Sequence, residues 1–141
     1  ELTGVSIDTV VWRDWKAVHP DSQVLDQDTG FSRPYGRDPY GTYYQDSFLM
    51  FPVENEDQRI HPKTVIFGIE VDGVYKAYRE EDVIREGTFE DTVGGRRIRV
   101  SRDAAGAVTF TDLDSGREIV KERDFWFAWY AFHPDTMLYE D

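Results

Sequence analysis

Three histidines raise the first chemical question, because a chain with no cysteine would have to hold a metal with imidazole and carboxylate groups. His19, His61 and His133 are each followed by proline. A histidine in the last turn of a helix sits at the negative end of the helix dipole, and proline then stops the helix, which accounts for His19 and His133 without any reaction. The chemical alternative is that folding brings His19, His61 and His133 together with Asp21 or Asp135 around one divalent metal. None of the three has the i, i+4 or H-x-H spacing of a local site, so such ligands would meet only in the tertiary structure. No cofactor is the first expectation, and a metal-dependent enzyme on this His and carboxylate set is the alternative.

A second set is aromatic and cationic. The stretch Gly30 to Tyr44, GFSRPYGRDPYGTYY, contains Arg33-Pro34-Tyr35-Gly36 followed by Asp38-Pro39-Tyr40-Gly41. Two Pro-Tyr-Gly triplets so close together force consecutive turns and exclude helix or central strand. Arg33, Tyr35, Arg37 and Tyr40 then stand on a loop where rings can stack on a sugar or flat ligand and guanidinium groups can hold a carboxylate. The plainer expectation is that the tyrosines plug a core edge while the arginines pair with nearby acids. Other motifs carry less. Gly94-Gly95 reads as a hairpin turn rather than a phosphate loop, Glu80-Glu81-Asp82 as an acidic helix start, and no serine has a nucleophile-elbow context.

The elements that must position these residues are framed by an internal repeat. Trp12, Trp15, His19, Pro20, Asp21 and Ser22 recur as Trp126, Trp129, His133, Pro134, Asp135 and Thr136 without a gap, giving the pattern W-x-x-W-x-x-x-H-P-D-[ST] twice. The first copy predicts a helix from about Val10 to Val18, capped by Asp8 or Thr9, with Arg13, Asp14 and Lys16 on a polar face. The second predicts a helix over Phe125 to Phe132, capped by Asp124 and apolar on every side. Such a helix is either wholly buried or offers a patch to a partner, and Phe125, Trp126, Trp129 and Tyr130 are the candidate surface. The two helices are expected to pack together at one side or end.

Between the copies, Val24 to Leu25 and Ser47 to Val53 read as strands. From Thr64 onward, short runs alternate with turn signals. Asp72-Gly73, Gly94-Gly95 and Asp114-Ser115-Gly116 join successive antiparallel hairpins, and Glu80 to Glu86 reads as a short helix. Ile98 and Val100 alternate with Arg97 and Arg99, so one face of that sheet is wet. The expected fold is α+β, a twisted antiparallel β meander with two short Trp-rich helices and an aromatic Gly/Pro loop. Residues 1–141 form one domain, with repeat units 8–25 and 122–139, the loop at 30–44 and the meander at 64–121.

Charge bounds the partners. The 28 acidic and 16 basic residues give a net charge of -12, which repels nucleic-acid backbones and anionic membrane surfaces. No apolar run approaches the ~20 residues of a membrane span, and no signal peptide is visible. The chain starts at Glu1 rather than Met, as a processed product would. Lys16, Lys63, Lys76 and Lys121 are the only lysines, and an acidic surface leaning on arginine is expected of an extracytoplasmic protein, whether periplasmic, cell-surface or secreted, or of a salt-adapted one.

These residues together resemble the family called domain of unknown function 3179 (DUF3179). The resemblance rests on Trp12 to Asp21, Gly30 to Tyr40, Lys76-Ala77-Tyr78, Asp91 to Gly95 and Phe125 to Thr136, in that order. It implies that the chain corresponds to the C-terminal half of a typical member, without the cysteine-bearing segment upstream, and that export is common among its relatives. It implies no activity. The expected function is therefore a non-enzymatic binding or assembly module, with a protein partner or self-association and an unspecified small ligand.

Overall fold

A computed structural model describes residues 3–140. Its strands begin where the sequence first offers strong hairpin chemistry. β1 (Val65–Val71) and β2 (Val74–Arg79) pair antiparallel around Asp72-Gly73, both of which adopt positive φ, as the tight turn between twisted strands requires. After α2 (Glu80–Glu86), β3 (Thr88–Val93) and β4 (Arg96–Arg102) form the second hairpin around Gly94-Gly95. β5 (Val108–Asp112) and β6 (Glu118–Ile119) follow, then β7 (Lys121–Phe125). Each hairpin expected from sequence is present.

With a further short strand, β8 (Met137–Leu138), the meander divides into two four-stranded sheets, ordered β7-β1-β2-β8 and β3-β4-β5-β6. The last strand of the first sheet, β8, runs parallel to β2 and was not expected. Alternation along β1 explains the layering. Phe67, Ile69 and Val71 face the second sheet and meet Tyr78, Ile98, Val100 and Phe110, whereas Ile66 faces the opposite way, toward the closing helix. β1 is thus buried on both faces. On β4, Ile98 and Val100 are buried while Arg97 and Arg99 are exposed, as the alternation predicted.

The closing helix α3 (Trp126–Phe132) covers the outer face of the first sheet. Trp126 is 0% and Trp129 3% exposed, and burying two such large rings makes this packing a major part of the hydrophobic stabilisation. Its first turn is tied down by Trp126 N–H to the Thr64 carbonyl and Phe127 N–H to the Pro62 carbonyl, both at 2.9 Å. The expected Asp124 cap does not form. Phe125 is the N-cap residue and Asp124 belongs to β7, where the strand continues up to the helix.

The first helix, α1 (Trp12–Val18), buries no residue, so the expected packing of one Trp-rich helix on the other is not realised. Its segment lies elsewhere. Ser6 Oγ accepts the Lys121 N–H at 3.3 Å, and Asp8 Oδ1 accepts the Val108 N–H at 3.1 Å. Asp8 is therefore spent on β5 and β7 rather than on capping α1, whose N-cap is Val11 with no side-chain cap. Neither Val24-Leu25 nor Ser47 to Val53 forms a strand, since neither finds a neighbouring strand to complete its backbone hydrogen bonds.

Candidate functional site

The repeated motif has one local geometry used twice. In the first copy the His19 N–H caps the helix by donating to the Trp15 carbonyl at 2.8 Å, the Trp15 and His19 rings lie 4.1 Å apart, and Trp15 Nε1 donates to Ser22 Oγ at 2.9 Å. In the second the His133 N–H donates to the Trp129 carbonyl at 3.0 Å, the rings lie 4.2 Å apart, and Trp129 Nε1 donates to Thr136 Oγ1 at 2.9 Å. Proline stops the helix and the turn delivers the hydroxyl to the indole. The spacing W-x-x-x-H-P-x-[ST] is thus a helix-stop latch.

That geometry decides where the histidines go. His19 stays beside Trp15 on exposed α1, and His133 stacks on Tyr75 at 4.1 Å beside β2. His61 accepts the Lys63 N–H at its Nδ1, 3.2 Å away, in the loop before β1. Each ring lines a different surface depression. Among the described residues no group of three or more His, Asp or Glu side chains is placed to hold a metal ion, so the shared site on His19, His61 and His133 is not formed.

His133 opens onto a groove of about 730 Å³ that also contains Glu70, Tyr75, Arg117 and Glu122. Burial lowers the His133 imidazole below its ordinary value, while the charge of Glu122 pulls it back upward. Among the described residues no serine or threonine lines this groove beside it.

Three buried charges carry no motif that marks them as functional in the sequence. Lys63, Lys76 and Lys121 are all buried, each against a carboxylate: Asp46 at 2.8 Å, Asp91 at 2.6 Å and Asp8 at 3.0 Å. Asp91 Oδ2 also accepts the Tyr78 hydroxyl at 2.7 Å, and Tyr78 is pushed far up by burial and by that bond. Lys76 and Tyr78 share one face of β2, and Asp91 meets them from β3, so this cluster clasps the two sheets. The available signal was the i, i+2 spacing in Lys76-Ala77-Tyr78 together with the inward position of Asp91 between Phe89 and Val93.

The aromatic loop stays at the surface, as its turn chemistry requires. Arg33, Tyr35, Arg37 and Tyr40 are exposed, and neither guanidinium makes an ion pair among the described residues. The expected pairing of these arginines with acids is absent. Of the proposed helical surface, Trp126 and Trp129 lie in the core, and Phe125 and Tyr130 are half-buried. What α3 leaves outside is Phe132, at 82% exposure, and one edge of Phe127.

Phe127 forms one wall of a broad groove of about 960 Å³ between the 47–52 and 56–62 segments. Phe48 and Phe51 line it while remaining 68% and 77% exposed, with Met50, Arg59 and His61 alongside. The run Phe48-Leu49-Met50-Phe51 lies within the Ser47 to Val53 stretch expected as a strand, and among the described residues no neighbouring strand pairs with it.

The model of the family described as protein of unknown function (DUF3179) matches residues 1–123. The chain belongs to this family. The DUF3179 match takes in the latch at Trp15 to Ser22, the aromatic loop, the apolar run and the Lys76-Ala77-Tyr78 clasp, and it ends before α3. No curated protein and no solved structure matches the chain.

Proposed function

We propose that this DUF3179 chain is a binding or assembly module, and that the groove between the 47–52 and 56–62 segments receives a protein partner. The observation that carries this is the exposure of Phe48 and Phe51 on a concave apolar surface. Contiguous exposed apolar area is costly in water and is usually covered by something. Charge selects the occupant. A second copy would bring another net charge of -12 against the first, whereas an apolar segment flanked by lysine and arginine is attracted to it. Glu56 at the groove itself adds to that preference, Asp57 being paired with Arg59 at 2.9 Å.

The experiment is a titration of the protein with synthetic peptides that share one apolar centre and carry either basic or acidic flanks. Saturable binding of the basic peptides, weakening with salt and lost in Phe48→Ser/Phe51→Ser, is expected. No binding by either peptide, or concentration-dependent self-association in their absence, overturns the reading. We also place the module outside the cytoplasm. The support is the acidic, arginine-leaning composition. Recovery of the native protein in the cytosolic fraction of its source cells would refute that placement.

A further inference from the structure

A second site adjoins the groove without sharing a lining residue with it, where the Pro-Tyr-Gly loop ends. A 3₁₀ turn at Gly41–Tyr44 folds the loop against β7 and leaves a pocket of about 550 Å³ lined by Tyr40, Tyr43, Tyr44 and Phe125, with Lys63 and Arg123. That volume falls within the range of ~300–1,000 Å³ usual for small-ligand sites. The rings hold one another in place. Tyr40 lies 6.2 Å from Tyr43 and 6.0 Å from Tyr44, and Tyr44 lies 5.9 Å from Phe125.

The two cations exclude charged ligands of either sign. Lys63 has a fully buried side chain, donates to the Tyr43 carbonyl and pairs with Asp46 at 2.8 Å. Arg123 is held by both carboxylate oxygens of Glu80, at 2.8 and 3.0 Å. With both charges already neutralised, nothing is left to pull in a phosphate or carboxylate. A cationic ligand fares no better, because Lys63 Nζ sits 3.5 Å from the centroid of the Tyr43 ring and already occupies its attractive face. A purely apolar ligand would leave the phenol groups dry. The Tyr40 hydroxyl has no partner among the described residues, and the Tyr43 hydroxyl accepts the Met50 N–H at 3.4 Å with its own proton unassigned to any acceptor.

Aromatic faces, neutralised charge and available hydroxyls match one chemical class, an uncharged ring with an apolar face and a polar rim. We propose that the Tyr40–Tyr43–Tyr44–Phe125 pocket binds a neutral pyranose sugar, stacked on tyrosine and hydrogen-bonded at its hydroxyls. This site shares no lining residue with the apolar groove, so either reading can fail without the other.

Saturation-transfer NMR on the whole chain tests it, with neutral disaccharides of glucose and of N-acetylglucosamine as probes and glucuronate and choline as charged comparisons. Transfer to the ring C–H protons of at least one neutral sugar is expected. Binding should weaken about tenfold in Tyr40→Ala/Tyr44→Ala, whose replaced rings are exposed, and stay unchanged in Phe51→Ser. The proposal is overturned if wild-type protein transfers to no neutral sugar, if the tyrosine variant transfers equally well, or if glucuronate or choline binds more strongly than every neutral probe.

Discussion

Trp129 and Thr136 are joined by an indole N–H to hydroxyl bond of 2.9 Å between two buried side chains, and the first copy repeats the bond at the same length between Trp15 and Ser22, both only half-buried. One motif therefore makes one contact in two environments, and environment should set its value. Thr136→Val keeps the shape but leaves the Trp129 donor buried and unsatisfied, at an expected cost of ~1–3 kcal/mol. Ser22→Ala leaves a donor that water can reach and should cost under about 1 kcal/mol. Urea denaturation of the two variants measures the difference, and equal costs would refute the dependence on burial.

Gly68 sits on β1 directly beneath the Trp129 ring, where an added Cβ would lie 2.5–2.6 Å from three of its carbons. Trp129 cannot retreat, since Thr136 holds its nitrogen and Tyr75 and His133 flank its ring. Gly68→Ala should thus be an overpacking substitution costing ~1–3 kcal/mol, visible as a lower urea midpoint and a changed near-ultraviolet tryptophan spectrum. An unchanged midpoint would show that α3 can shift off the sheet freely.

What the sequence disclosed follows the range of the physics involved. Asp72-Gly73 and Gly94-Gly95 announce their hairpins because positive φ is a local demand that neighbouring residues cannot supply. Trp15 and Trp129 have the same local sequence, yet Trp15 is half-buried and Trp129 fully buried, because burial depends on which sheet lies alongside, and nothing near either residue encodes that. For the same reason nothing near Lys63 or Lys121 marks its burial: each is neutralised by an acid at least 17 residues away along the chain, whereas Lys76 is marked by its i, i+2 spacing to Tyr78. Of the candidate loop residues, Tyr40 reaches a pocket because the turn after it folds back on β7, whereas Arg33 and Arg37 sit earlier and face water.

The pair of Lys76 and Asp91 gives a sharper test of how the sheets are held. With both groups largely buried, removing either leaves an uncompensated charge between the sheets. Lys76→Met and Asp91→Asn should each cost ~3–5 kcal/mol. The double variant keeps an acceptor for the Tyr78 hydroxyl and removes both charges, so it should be more stable than either single one. A double-mutant cycle in urea measures the coupling. Strict additivity would mean the clasp does not act as a unit.

The pH dependence of stability should carry a mark of His133. Its imidazole is lowered by burial in the folded protein, so between that folded value and the unfolded value of about 6.5 the unfolded chain binds more protons. Stability from this group is present above the unfolded value and is lost as pH falls through that window. His133→Phe keeps a ring between Tyr75 and Trp129, and keeps the capping N–H, but cannot titrate. It should flatten the stability curve below about pH 6.5. Asp112 provides an internal control. The Ser115 and Asp114 N–H groups and Arg96 hold its carboxyl below the usual range, so its contribution is lost only at more acidic pH. Urea denaturation at successive pH values should show two separate losses in the wild type and only the acidic one in His133→Phe. Persistence of both in the variant would assign the upper one to another group.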